Sequence, residues 1–337
     1  MKLSHFTIPI AAVIIIAIVS IAYSFPLRKK SSINQQNAVY YWRTTFKLNE
    51  VEKQFLQENN IKKMYVRFFD VEPNRYRKFR DDCAPVATID FYDTVPKFVE
   101  IVPVVFITPE AITEYQTFTD NLAHRLYAMC QYNNIAINEV QFDCDWTGST
   151  REAFFQFLKE VRKRLNDYFQ KEIKLSSTIR LHQLAQTPPD VDYGVLMCYN
   201  TGNFKDFKTE NSILDIQDVK PYLKYLKSYH LPLTLGLPIY EWNVAFDSNK
   251  EFYSLNYFYY DDLQDTTYFK PLGGNYYECP GYRYLSYVRH EEVSAETILN
   301  VKDMIQKRYG KMPVVLYHLD SKQLSKYSKD EIEAFFD

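Results

Sequence analysis

The sequence predicts an α/β fold, a (β/α)8 barrel of the TIM type, and three observations predict it. Eight short runs rich in apolar, β-branched and aromatic residues recur along the chain, most of them separated by stretches with helical spacing. Polar and charged residues gather where those runs end, which is the face on which such barrels carry their sites. A length of 337 residues allows one large core without further division.

The first element lies outside that core. Thr7 to Phe25, TIPIAAVIIIAIVSIAYSF, carries no charge and is flanked by Lys2 and by Arg28, Lys29 and Lys30. A run of that length predicts a transmembrane anchor or a secretory signal within residues 1–30, with Ala22 and Ser24 spaced as a signal peptidase prefers. Either way the body is expected outside the cytoplasmic membrane, in the cell envelope or secreted. Residues 31–37 form a polar spacer and residues 38–337 the barrel domain.

Ala38 to Phe46, AVYYWRTTF, reads as strand one. Asn49 then caps a helix, with Glu52 in capping-box register. Lys63 to Phe69 is strand two, and Pro73, Pro85 and Pro96 keep the next stretch irregular apart from a small strand at Ala87 to Phe91. Ile101 to Ile107 is strand three, followed by a helix from Thr119 to Asn133 in which Leu122, Leu126 and Met129 share a face. Strand four is Glu139 to Trp146, EVQFDCDW; its helix, Arg151 to Lys171, carries Phe154, Phe157, Leu158, Val161, Leu165 and Phe169 along one stripe.

Strands five (Lys174 to Gln183) and six (Tyr193 to Tyr199) are separated only by LAQTPPDVD, too short for a crossover helix, so either that unit is degenerate or a strand is misplaced. A helix at Val219 to Tyr229, strand seven at Leu233 to Tyr240 and strand eight at Met312 to Leu319 follow. Ser328 to Phe336, with Ser328 and Glu331 in capping-box register, is the closing helix. Between strands seven and eight the chain is far longer than one helix needs. Its tyrosine-rich part, residues 243–293, predicts a flap or small subdomain over the barrel mouth, and Ser294 to Lys307 supplies the helix before strand eight.

Composition excludes several classes. A net charge of −2 and a pI of 6.3 leave no basic excess for nucleic acid. No glycine loop of the Walker or dinucleotide type is present, so no cofactor is expected, and no HxxxH or HExxH spacing points to a metal. The five cysteines are scattered without a CxxC pair, which is neither a disulfide scaffold nor a zinc pattern; one bridge involving Cys83 or Cys279 stays open in an exported protein. Tyr 29 and Phe 24 give an aromatic share of 17%, which suits stacking on sugars or peptides and equally suits cores with wet edges.

The candidate site starts from strand four. Asp143 and Asp145 are two apart and share a face, with Phe142, Cys144 and Trp146 on the other. Two neighbouring carboxylates repel and resist burial, so the pair marks a site or an ion-paired strand end. Glycoside cleavage uses two carboxyl groups about 5 to 10 Å apart, and Asp143 or Asp145 with Glu241, after strand seven, is the best catalytic pair. Glu110, Asp70 and Asp320 stand at other strand ends. Arg67, Arg180, His182 and His318, with Asp320, are candidates for gripping substrate; the arginines are equally candidates for pairing with the aspartates or with Glu241. Trp42 and Trp242 flank strand ends as a sugar-stacking platform, Tyr240 adds to it, and Trp146 is expected to pack against a helix.

A resemblance follows from these strand ends. VQFDCDWT resembles the strand-four signature of glycoside hydrolase family 18, the chitinase-like barrels, in which Asp-x-Asp-x-Glu points into the barrel. Tyr199 and Asn200 after Met197 look like that family's Met-x-Tyr-Asp strand end, and the excursion after strand seven is similar to its inserted subdomain. The ordered set FDCDW, STIRLHQL, GVLMCYNTG, GLPIYEW and VVLYHLD resembles more closely an exported barrel family of Bacteroides-type bacteria. The resemblance spans Val39 to Leu319 and implies a glycoside-hydrolase-like barrel whose partner is carbohydrate or a cell-envelope glycan, with Asp143, Asp145 and Tyr199 on motif positions. The motif's proton-donating glutamate falls on Thr147 and its last aspartate on Asn200. A threonine hydroxyl does not titrate near neutral pH and cannot serve as the acid. Two functions stay open: a membrane-anchored or exported barrel that hydrolyses glycosidic bonds with a non-standard acid/base pair, and a non-catalytic glycan-binding or structural envelope protein. A third is an enzyme acting on an envelope polymer whose acidic group Arg67 and Arg180 grip.

Overall fold

Runs of Val, Ile and Leu that are apolar on both faces belong between a barrel interior and a helical layer, and eight of them close here into a ring. The computed structural model describes residues 36–74, 83–256 and 258–337. The parallel strands are β1 (Ala38–Tyr41), β2 (Lys63–Pro73), β3 (Glu100–Ile107), β4 (Glu139–Asp143), β5 (Lys174–Arg180), β6 (Tyr193–Met197), β7 (Leu233–Pro238) and β8 (Val314–Tyr317). Closure is made by β1, in which Ala38 pairs with Lys63 of β2 on one side and with Val315 of β8 on the other.

Every predicted barrel strand is present; β2 and β3 run longer than expected, to Pro73 and from Glu100, and the other six are shorter. Strand one stops at Tyr41; Thr45–Phe46 pairs instead with Asp90–Phe91, which is all that forms of the small strand expected there, while Cys83–Val86 runs antiparallel to the end of β2. The helices are α1 (Glu50–Glu58), α2 (Tyr115–Tyr132), α3 (Arg151–Phe169), α4 (Ala295–Tyr309) and α5 (Lys329–Phe336), and both predicted capping boxes, Asn49 with Glu52 and Ser328 with Glu331, are formed. The helix expected at Val219 to Tyr229 is only one α turn, Ile216–Val219, continued as a 3-10 segment, Lys220–Tyr225. Pro221 near the start of that segment has no N–H to give to an α-helical ladder.

The stripe of α3 buries Phe154, Phe157, Leu158, Val161 and Leu165 on the outer face of β4, where Phe142 meets Phe157 edge to face at 5.0 Å. Trp146 is fully buried and lies 5.5 Å from Phe155 of the same helix, as its position on the face opposite Asp145 predicts. Leu181–Ala185, a 3-10 turn, resolves the short connection: β5 and β6 are parallel neighbours and the unit is degenerate. Gln183 holds that turn, accepting from the Arg180 backbone N–H at 2.8 Å and donating to the Trp146 carbonyl at 3.0 Å.

Close packing in this region predicts one substitution. A Cβ added at Gly194 of β6 would lie 2.7 Å from Ile179 Cγ1 and 3.0 Å from Leu231 Cδ2. Gly194→Ala is expected to lower stability by about 1–3 kcal/mol through overpacking, read as a lower urea midpoint at unchanged slope.

The barrel interior is unusually polar along β4. Below Asp143, Gln141 accepts from Tyr40 Oη at 2.6 Å, and Glu139 accepts from Ser176 Oγ at 2.6 Å and pairs with Lys63 at 2.8 Å. Val102, Val104, Val195 and Val315 fill the remaining space around Tyr40 and Tyr65.

The excursion after β7 is a subdomain with its own antiparallel sheet, in the order Phe252–Leu255, Trp242–Phe246, Tyr287–Glu291, Tyr276–Glu278, Lys270–Gly273. It has a separate small core of Ala245, Phe258, Leu263, Phe269, Cys279, Leu285 and Val288. Arg289 and Glu291, two apart on one strand, are both buried and paired at 2.6 Å. The five cysteines are buried thiols, so the bridge left open for Cys83 or Cys279 is not formed. Among the described residues no helix is long and apolar enough to cross a membrane, and the apolar run of Thr7 to Phe25 lies outside them.

Candidate functional site

The C-terminal ends of the strands, together with the first strand of the subdomain, surround a cavity of about 430 Å³. Eleven of the residues singled out in the sequence line it: Trp42, Asp70, Asp143, Asp145, Arg180, Tyr199, Asn200, Tyr240, Glu241, Trp242 and His318. The subdomain does reach the mouth, because Trp242 and Asn256 form part of the wall.

Asp143 ends β4 at 3% exposure and accepts from Thr178 Oγ1 at 2.6 Å. Arg180, at the end of β5, bridges the two aspartates: its Nε bonds Asp145 Oδ1 and its Nη2 lies 3.5 Å from Asp143 Oδ1. Burial, with the Asp145 charge adding to it, pushes the Asp143 carboxyl up to about 6, although Arg180 pulls the other way. The guanidinium thus lies against one oxygen of each carboxylate.

Glu241 is held by a different set. Lys326 bonds its Oε2, Lys322 lies 3.9 Å from Oε1 and His290 Nε2 lies 3.8 Å from Oε2. Of the two pairings open to them, Arg67 and Arg180 both take the aspartates, and neither is a partner of Glu241. Burial lowers the His290 pKa, and its Nδ1 meets Asn243 Oδ1 at 2.8 Å. Glu241, His290 and Glu292 bring one ligand atom each within 4.8 Å of one another, which is the one grouping among the described residues with metal-ligand chemistry. The Lys326 ammonium already bonds Glu241 and stands 3.5 Å from Glu292, so a cation of the chain itself serves this cluster.

Three expected site residues lie elsewhere. Arg67 turns to Asp70, donating from Nε at 2.7 Å, and its guanidinium sits 5.4 Å from the Trp42 ring; only Asp70 of that pair lines the cavity. His182 is exposed on the 3-10 turn because β5 stops at Arg180, so the two do not share a strand face. Asp320 caps Ser321–Leu324 and pairs with Arg43 at 2.7 Å. Thr147 is exposed beyond the end of β4, its hydroxyl 2.9 Å from Ser149 Oγ, and is not part of the cavity wall.

The aromatic platform is continuous. Trp42, Tyr317, Tyr240 and Trp242 follow one another at centroid distances of 5.8, 5.5 and 5.7 Å, and Tyr199 stacks on Tyr317 at 4.9 Å. Tyr240 Oη donates to Asn200 Oδ1 at 2.5 Å. Burial pushes His318 down to about 4, so its ring is neutral at physiological pH. Sequence reasoning passed over Gln323, Asn256 and Phe106, which with Met197 and Tyr317 complete the wall; Gln323 and Asn256 are single polar residues in loops, with no pattern to mark them.

No protein-family model matches the chain. No curated protein matches it either. Solved structures do match over most of its length. A chitinase from Chromobacterium violaceum superposes with a TM-score of 0.54 at 12% identity, covering 89% of this chain and 98% of that one. A GH18 chitinase from the chitin utilization locus of Flavobacterium johnsoniae gives 0.53 at 14%, covering 89% and 93%. A chitinase-like agglutinin from Robinia pseudoacacia gives 0.51 at 12%, covering 88% and 98%. The chain is similar to these in its (β/α)8 barrel, and at such identities the likeness is one of fold.

Proposed function

We propose that the chain is a glycan-recognition barrel that holds sugar in its mouth without cleaving it. The observation that carries this reading is Arg180 paired with both Asp143 and Asp145, while the motif position of a proton donor is Thr147, exposed and outside the cavity. The aromatic run from Trp42 to Trp242 supports it, since such faces pack on the apolar faces of pyranose rings. The fold likeness to chitinases and to a chitinase-like agglutinin supports carbohydrate as the ligand class. Export, with the barrel outside the cytoplasmic membrane, is part of the proposal and is supported by the uncharged run of Thr7 to Phe25.

One observation favours hydrolysis as a second reading: Asp143, pushed up to about 6, keeps a protonated fraction near neutrality that a general acid requires. A panel of oligosaccharides and envelope glycans, assayed for binding by calorimetry and for cleavage by mass spectrometry, separates the two. Saturable binding without products is the expected result. Turnover that disappears in Asp143→Asn or Glu241→Gln would overturn it in favour of hydrolysis. Trp42→Ala is expected to weaken binding about tenfold, by loss of one stacking face.

A further inference from the structure

The cavity has an unbalanced charge and an unbalanced hydrogen-bonding capacity. Among the described residues lining it, Asp70 is paired with Arg67 and Glu241 with Lys326. That leaves Asp143 and Asp145 sharing the single guanidinium of Arg180, with His318 neutral. Two carboxylates against one cation leave one negative charge.

Three buried polar atoms of cavity-lining residues have no hydrogen-bond partner: Tyr199 Oη, His318 Nδ1 and Gln323 Oε1. Tyr199 is 4% exposed, so water does not freely serve its hydroxyl. An amide oxygen and a carboxylate only accept, whereas a phenol and a neutral imidazole take either role. A ligand that satisfies this set must therefore bring donors to Gln323 Oε1 and Asp145, together with one positive charge. The walls are compatible with a cation as well, because the aromatic rings of Tyr317, Tyr240 and Trp242 line the cavity.

We propose that the ligand is a glycan carrying a free amino group, a de-N-acetylated hexosamine whose ammonium is balanced by the Asp143–Asp145 pair. An N-acetylated hexosamine brings a single N–H and a carbonyl acceptor, which leaves the negative charge uncompensated and adds an acceptor to an acceptor-rich site. This assignment rests on the glycan-recognition reading and narrows it to one substrate class.

The test is calorimetric titration of the full-length chain with three oligosaccharides of equal length, built from glucosamine, from N-acetylglucosamine and from glucose. The glucosamine oligomer is expected to bind about tenfold tighter than either of the others. That preference is expected to shrink as ionic strength rises and to be lost in Asp145→Asn. Equal or tighter binding of the N-acetylated oligomer would overturn the free-amine assignment and leave glycan recognition standing. Binding of none of the three by a folded chain would overturn both. A preference for glucosamine that is indifferent to salt and survives in Asp145→Asn would overturn the charge-balance basis.

Discussion

Arg289→Met is expected to destabilise the fold by about 3–5 kcal/mol. Arg289 is fully buried, and its guanidinium makes four hydrogen bonds. Nε donates to Glu291 at 2.6 Å, Nη1 to the carbonyls of Asp206 and Phe207 at 2.8 and 3.3 Å, and Nη2 to that of Phe204 at 3.0 Å. The group lies 5.1 Å from the Phe246 ring. Glu291 in turn accepts from the Ser212 N–H and hydroxyl at 2.6 and 2.7 Å and from Trp242 Nε1 at 2.9 Å.

Methionine fills a similar volume but leaves a buried carboxylate short of its counter-ion and the Phe204 carbonyl without its donor, while the Asp206 and Phe207 carbonyls keep those of Thr209 N–H and Tyr276 Oη. The loss should be local first. Amides of residues 203–212 are expected to exchange with solvent faster than those of the barrel strands, because this arginine ties that loop to the subdomain. A urea midpoint unchanged from the native chain would show that Glu291 secures the loop through Ser212 and Trp242 alone.

Arg180→Gln is the second large effect, and it depends on pH. The native guanidinium separates two carboxylates, of which Asp143 is buried and held at about 6. Glutamine keeps a donor there but not the charge, so the Asp143 carboxyl moves higher still. In the unfolded chain an aspartate titrates at about 3.9. A carboxyl raised on folding contributes stability that is intact below the unfolded value and is lost as pH climbs through the folded one. The variant should therefore nearly match the native chain at acid pH and fall behind by about 3–5 kcal/mol in mildly alkaline buffer. Urea melts across that range read the slope directly. Adding Asp143→Asn to the variant should restore most of the alkaline loss; failure to do so would place the cost in packing rather than in repulsion between carboxylates.

The barrel was legible because its signal is local. Apolar runs, helix stripes and both capping boxes are properties of a few adjacent residues, and all eight strands fell where those runs lie. Six of the eight strands were read too long; in β4, Cys144 and Trp146 continue the buried run after the ladder bonds have stopped at Asp143. His182 was misplaced for the same reason. The cavity's inventory was also largely readable, because strand ends must converge once the ring closes. Its pairings were not. Lys326 reaches Glu241 across 85 residues and Arg43 reaches Asp320 across 277, and nothing in a sequence window fixes which lysine or arginine arrives. Arg289 and Glu291 carried a usable mark, two opposite charges at strand spacing inside a tyrosine-rich run, the same period that singled out Asp143 and Asp145.

Closure of the ring between β1 and β8 has a consequence for how the chain is made. Asn37, just before β1, accepts from the Val314 N–H at 3.0 Å and donates to the Phe336 carbonyl at 3.2 Å, across 277 and 299 residues. At ordinary synthesis rates β1 waits roughly 15–60 s for the strand that completes its pairing. For that interval β1 is an open edge, and so is β7 once it is made, each with unpaired N–H and C=O groups and able to join a neighbouring chain. A nascent chain of this protein is thus most prone to aggregate just before the 26 residues from Met312 to Asp337 emerge, and a ribosome stalled there should need a chaperone where a released chain does not.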